Sequence, residues 1–147
     1  MLSELYDQVR RRLTDDAVLL SLLGVDASNQ AAILERIDMR MNPGNLQEEK
    51  LPLIAFHAAP RLRFLEEENR NCSIIMFHFH VFTKGEVELA LRIADRLTEL
   101  FQDDVPFVQK RDMEGLSTVL IDQYEKEIDL NGLFCLTSIF KFTIQID

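Results

Sequence analysis

The stretch "NCSIIMFHFHVFTKG", residues 71–85, decides how the rest of the chain is read. Side chains of a strand alternate between two faces. Ile75, Phe77, Phe79 and Val81 therefore share one face, almost pure core, while Ile74, Met76, His78, His80 and Phe82 share the other. The second face is apolar too, so neither side suits water, and the reading demands cover on both: another element of the chain, or another subunit. The same stretch holds two of the three histidines of the chain. Whether they bind a metal separates an enzyme from a structural protein.

Working outward, "LPLIAFHAA" (51–59) reads as a second strand, with Pro52 near its start where a missing N–H does least harm. "PRLRFLEEENRN" (60–71) between the two is charged and ends in turn residues, which suits a hairpin arm over 59–72 with Glu66–Glu68 near its tip; a solvated loop with no partner is the equally weighted alternative. After Gly85, "EVELALRIADRLTELF" sets Val87, Ala90, Ile93, Ala94, Leu97 and Phe101 along one helical stripe, with Glu88 and Arg92 paired i,i+4 outside it. Asp103 to Pro106 stops that helix.

The chain opens with helices. Leu2, Leu5, Tyr6, Val9 and Leu13 recur at helical spacing. Thr14 is expected to cap a second helix, "AVLLSLLG", which Gly24 ends in a left-handed conformation. A short helix is expected over 28–35. "RIDMRM" (36–41) alternates and predicts a strand with Ile37, Met39 and Met41 on one side.

The C-terminal third reads as a hairpin about Asn131-Gly132. Its apolar phases are both even, Leu120, Tyr124, Ile128 and Leu130 against Phe134, Leu136, Phe140, Phe142, Ile144 and Ile146. A two-residue turn would place these sets on opposite faces, so an odd loop with Gly132 left-handed is expected; the alternative is a sheet buried on both sides. The order predicts one α+β domain over 1–147, with a mainly antiparallel sheet of four to five strands and helices packed on one face.

Composition bounds the function. The 147 residues carry a formal net charge of −9, a field that repels nucleic acid. The basic run Arg10–Arg12 reads as a solvated or partner-facing helix side. Cys72 and Cys135, well separated, read as buried thiols in a reducing compartment. No apolar run approaches the ~18 residues of a membrane span, and the N-terminus lacks a signal-peptide pattern, so a cytosolic product is expected.

For chemistry, His78 and His80 sit i,i+2 with Cα atoms ~6.5–7 Å apart on a strand. His57 comes alongside if the two strands pair, so a three-histidine site is conceivable. Neither strand offers a carboxylate as base or outer-shell partner, and Met76 and Phe82 flank the pair. The expectation is that no metal or cofactor is bound and that the histidines are half-buried or subunit-facing. There is no G-x-S-x-G elbow, P-loop or G-x-G-x-x-G, and Cys72 lacks cationic neighbours. No enzyme is expected. The rival from another class is a small His-based metal-binding enzyme domain.

The amphipathic opening "LYDQVRRRLTDDAVLLSLLG", the "RI" strand, the Leu51-Pro52-Leu53-Ile54 strand start, the long strand, the Gly85-led helix and the closing hairpin together resemble the tail terminator (tail completion, head–tail joining) proteins of long-tailed bacteriophages. That resemblance spans nearly the whole chain and rests on element order and spacing. It implies a virion protein of the tail neck, made in the host cytoplasm: a hexameric ring on the tail tube that halts polymerisation and meets the head connector. Its partners would then be itself, the tail tube protein and the head connector protein, with DNA only as passing cargo and no membrane. An acidic channel lets DNA slide without sticking. Another neck or tail-tube subunit is the alternative within the same class. For subunit or partner contacts the expected residues are Arg61, Arg63 and Phe64 of the arm and Met76, His78 and His80 of the second face.

Overall fold

The computed structural model describes residues 2–39, 46–59, 63–64, 72–102, 113–126 and 132–146. Helices α1 (Leu2–Thr14), α2 (Ala17–Leu23) and α3 (Gln30–Arg36) lead into β1 (Ile37–Asp38), then β2 (Leu53–Ala58), β3 (Arg63–Phe64) and β4 (Cys72–Thr83). Helix α4 (Val87–Phe101) and the long strands β5 (Met113–Lys126) and β6 (Phe134–Ile146) complete the order. The fold is α+β. Its sheet runs β1-β2-β4-β6-β5, with β3 also paired to β4; every pairing is antiparallel except β1 with β2.

Strand β6, last in sequence, lies between β4 and β5, because α4 carries the chain across the sheet and leaves the central lane open for the returning strand. One face of this sheet and the helices make the main core. Ile54, Phe56, Ile75, Phe77, Phe79, Val81, Phe140 and Phe142 meet Leu5, Val9, Leu19, Leu23, Ile93, Leu97 and Phe101 there, all 0% exposed. Fully burying each such side chain contributes about 1.5–3 kcal/mol, so this face sets the register. Tyr6 stacks near Phe56 and edge-on to Phe77, and its hydroxyl accepts from the Ala58 N–H at 2.6 Å, tying α1 to the sheet.

Local chemistry sets the helix ends, with two corrections. The cap of α2 is Asp16, not Thr14: its Oδ2 accepts from the Leu19 N–H at 2.8 Å, whereas Thr14 is the last residue of α1. An ionised Asp two residues nearer the helix start caps it and also complements its dipole. Asn29 caps α3, so that helix begins at Gln30 rather than Ser28, whose hydroxyl and N–H both donate to Asp26. Gly24 ends α2 at φ 73°, as its position predicts. In α4 the buried stripe is Ala90, Ile93, Ala94, Leu97, Leu100 and Phe101; Val87, expected inside, is 46% exposed at the first turn. The early strand shrinks to Ile37–Asp38, with Ile37 buried and Met39 40% exposed; Met41 lies outside the described residues.

The hairpin parity is resolved differently from the expected odd loop. Leu120 faces Phe140, but Asp122 faces Ile139, so Ile121 is an extra residue in β5. Tyr124 consequently sits opposite Thr137, on the other face from Leu120. A bulge inside the strand thus performs the phase change assigned to the turn. The Leu120 N–H at the bulge donates to Gln102 Oε1 at 2.6 Å, and Gly132 has the expected left-handed φ, 79°. Residues 127–131 lie outside the described residues.

Candidate functional site

The second face of the sheet is covered in part by the chain itself. Leu53, Ala55, Phe82 and Cys135 are buried there beneath Leu46 and Leu51. Arg36 pins that covering segment: its guanidinium donates to the carbonyls of Leu51 (2.8 Å), Glu49 (3.1 Å) and Leu23 (3.2 Å). The cover sought in the sequence is therefore, at this end, the segment 46–51.

Next along the same face stand the histidines. Antiparallel pairing of β2 and β4 puts His57 directly across from His78 and leaves His80 two residues along, on the same side of the pleat. Ring centroids are 4.9 Å apart for His57 and His78, 5.2 Å for His57 and His80, and 6.2 Å for His78 and His80. One nitrogen from each ring lies within 4.8 Å of the others. His57 and His80 are buried, at 7% and 3% exposure, and His78 is half-buried.

Strand β6 adds a residue that the sequence reading missed. Thr137 faces His80 across the β4–β6 ladder, and a hydrogen bond of 2.8 Å joins its Oγ1 to His80 Nδ1. The other nitrogen of that ring, Nε2, and Nδ1 of His57 are buried with no hydrogen-bond partner. Two orphaned imidazole nitrogens on one patch are unusual, because a buried polar atom normally finds a partner.

Burial holds all three rings neutral. Desolvation, followed by the repulsion that His78 when protonated and Lys126 would exert, brings His57 down to about 4. Desolvation, then Lys126 and the other two imidazoles, brings His80 down to about 3. His78 is lowered as well, by burial and then Lys126. Cys135 beneath the same face is pushed up to about 11, chiefly by burial, so it is a thiol and not a nucleophile.

Of the residues expected to make contacts, Met76 and His78 are partly exposed on this face and His80 is sealed. Arg63 and Phe64 form β3, paired antiparallel with Ile74 and Ser73, and so extend the β2 side of β4. Arg61 and the remaining residues of the expected arm, 60–62 and 65–71, lie outside the described residues. No helix among the described residues is long and apolar enough to cross a membrane.

No family model and no curated protein matches the chain. Among solved structures it is similar to a chain of the virion of a native gene transfer agent (GTA) particle, with a TM-score of 0.71 and 15% identity. The match covers 96% of this chain and 94% of that one, so the two share the fold essentially from end to end.

Proposed function

We propose that this chain is a structural component of a phage-like virion and, within it, the tail terminator. Copies form a ring on the end of the tail tube, stop its polymerisation and present a surface to the head connector. The carrying observation is the end-to-end fold match to a chain of a gene transfer agent virion at a TM-score of 0.71. Element order supports the finer role: an amphipathic helix, a long central strand, a helix and a closing hairpin are the features by which the sequence resembles tail terminators. The net charge of −9 suits a ring through which DNA passes without sticking.

In this reading the contacts between copies, or to the tube, fall on the arm with Arg61, Arg63 and Phe64 and on the open part of the second face with Met76 and His78. Self-complementary surfaces do the work, so no catalytic group is required.

The test is electron microscopy of tail tubes, assembled from the tube protein of the same particle, with and without this chain. A ring on one end of each tube, with growth arrested, supports the proposal. Incorporation along the tube would make the chain a tube subunit, and binding to the connector alone would make it a neck protein; either outcome overturns the terminator role. Native mass measurement over a concentration series adds the subunit number. A free monomer that closes into a ring only on a tube end fits the proposal equally well.

A further inference from the structure

The geometry points to a transition-metal site on the second face of the sheet, formed by His57, His78 and His80, that takes one borderline divalent ion such as Zn²⁺ or Co²⁺. Three observations carry it. First, three imidazoles from two hydrogen-bonded strands each bring a nitrogen within 4.8 Å of the others. Four-coordinate zinc at 2.0–2.1 Å from each nitrogen needs separations of about 3.3 Å, so binding requires the rings to turn their in-plane nitrogens toward a common point, His57 and His80 from a stacked arrangement. Second, His57 Nδ1 and His80 Nε2 are buried with nothing to bond to, and a cation between them would satisfy both at once.

Third, His80 is oriented from behind. Its Nδ1 is held by Thr137 at 2.8 Å, the outer-shell contact that metal-bound histidines characteristically make through the nitrogen that does not ligate. When that nitrogen carries the proton and donates to the hydroxyl, Nε2 presents its lone pair to the ion. An alternating carboxylate, absent from both strands, is not needed for this purpose, because the hydroxyl comes from a third strand.

All-nitrogen ligation selects for Zn²⁺, Co²⁺, Ni²⁺ or Cu²⁺ over the oxygen-seeking Mg²⁺ and Ca²⁺. With three protein ligands, a fourth position remains on the side of half-buried His78, where a water completes the shell. Lys126 opposes a cation through its charge, which tempers affinity. Cys135, also on this face, is paired in the ladder with Phe82 and Lys126 and has Thr137 as its hydrogen-bond partner, so it is not counted among the ligands.

The experiment uses the full chain, stripped with chelator and titrated with Co²⁺ by visible absorption and with Zn²⁺ by calorimetry. One ion per chain is expected, with an intense four-coordinate cobalt spectrum. His78→Ala, at a half-exposed position that tolerates truncation, should weaken binding at least 100-fold, and Thr137→Val by 10–100-fold. Absence of saturable binding in the stripped wild type overturns the inference, as does binding that His78→Ala leaves unchanged. The circular dichroism of each variant shows whether the fold survives. Should His57→Ala unfold, the His78 variant and the cobalt spectrum still decide. The result stands apart from the assembly role, since metal binding is read on the free chain.

Discussion

Thr137→Val removes the contact that organises the histidine face, together with the hydroxyl that also serves Cys135. The substitution removes the hydroxyl 2.8 Å from His80 Nδ1 in a place where Thr137 is 0% and His80 3% exposed, so water cannot replace it. Because His80 Nε2 already lacks a partner, the ring would then have neither nitrogen bonded. An orphaned buried polar atom costs about 1–3 kcal/mol, offset by up to ~0.8 kcal/mol for the methyl that replaces the hydroxyl. The expected net loss is about 1 kcal/mol, within a range of roughly 0.2–2.2, which in a chain of this size lowers Tm by roughly 2–4 °C at the central value. Urea unfolding at pH 7.5 with chelator present measures it. The companion variant His80→Phe removes the imidazole, and the double variant should cost less than the sum of the two singles by about 1 kcal/mol, since both partners are then gone. Strict additivity within about 0.5 kcal/mol, or a Thr137→Val protein as stable as wild type, would refute the claim that this bond holds the ring.

Three further outcomes follow from the same structure. In the metal-free protein, His57 and His80 have folded values of about 4 and about 3 against 6.5 when unfolded, so the unfolded chain binds more protons between these limits. Their contribution is therefore complete above pH 6.5 and falls below it by about 1.4 kcal/mol per group per pH unit; a flat urea midpoint from pH 7 to 5 would contradict it. Asp16 caps α2 and receives Arg96 at 2.6 and 2.9 Å, so Asp16→Asn keeps the cap while losing the charge, and Asp16→Ala loses both. The alanine variant should be the less stable by about 1 kcal/mol, and equal unfolding midpoints would show that the cap contributes nothing. Arg36→Met strips the donors that hold the carbonyls of Leu51, Glu49 and Leu23. A loss of about 2 kcal/mol is expected, with faster amide exchange across 46–52; exchange rates equal to wild type would mean that Leu46 and Leu51 alone retain the segment.

Periodicity made the main core legible. The face with Ile75, Phe77, Phe79 and Val81, the even residues Phe140, Phe142 and Ile144, and most of the α4 stripe were all readable because burial repeats with the pitch of each element. The left-handed residue Gly24 was equally plain. Position within the sheet was not. Nothing local in "FCLTSIFKF" says that β6 pairs with β4 as well as β5, so Thr137 could not be matched to His80. Pairing His57 with His78 was foreseeable only as a condition, since a slip of one residue would have sent the rings to opposite faces. The bulge at Ile121 escaped for the same reason: two even phases demand one extra residue somewhere, and the sequence does not say whether turn or strand supplies it.

The second face changes character along its length, and this separates two roles that the histidines carry together. At the end under Leu46 and Leu51 it is closed: Leu53, Ala55, Phe82 and Cys135 are 0–3% exposed. At His80 it is still closed, while His78, Met76 and the β6 residues Ile139, Lys141 and Thr143 opposite them and beyond are partly open. If copies dock on this face as proposed, a neighbour reaches His78 and Met76 but not His80. His78→Glu, at the half-buried end, should therefore disturb ring closure or tube binding while costing the free chain less stability than His80→Glu does. His80→Glu places a charge beside two apolar neighbours and an orphaned imidazole, and should destabilise the free chain before any assembly is attempted. Measured side by side, by unfolding and by electron microscopy of decorated tubes, the two variants distinguish a docking surface from a buried support. Should His78→Glu assemble normally, the open end of this face is not where copies or tube make contact, and the proposed contacts at Arg63 and Phe64 are left to carry it.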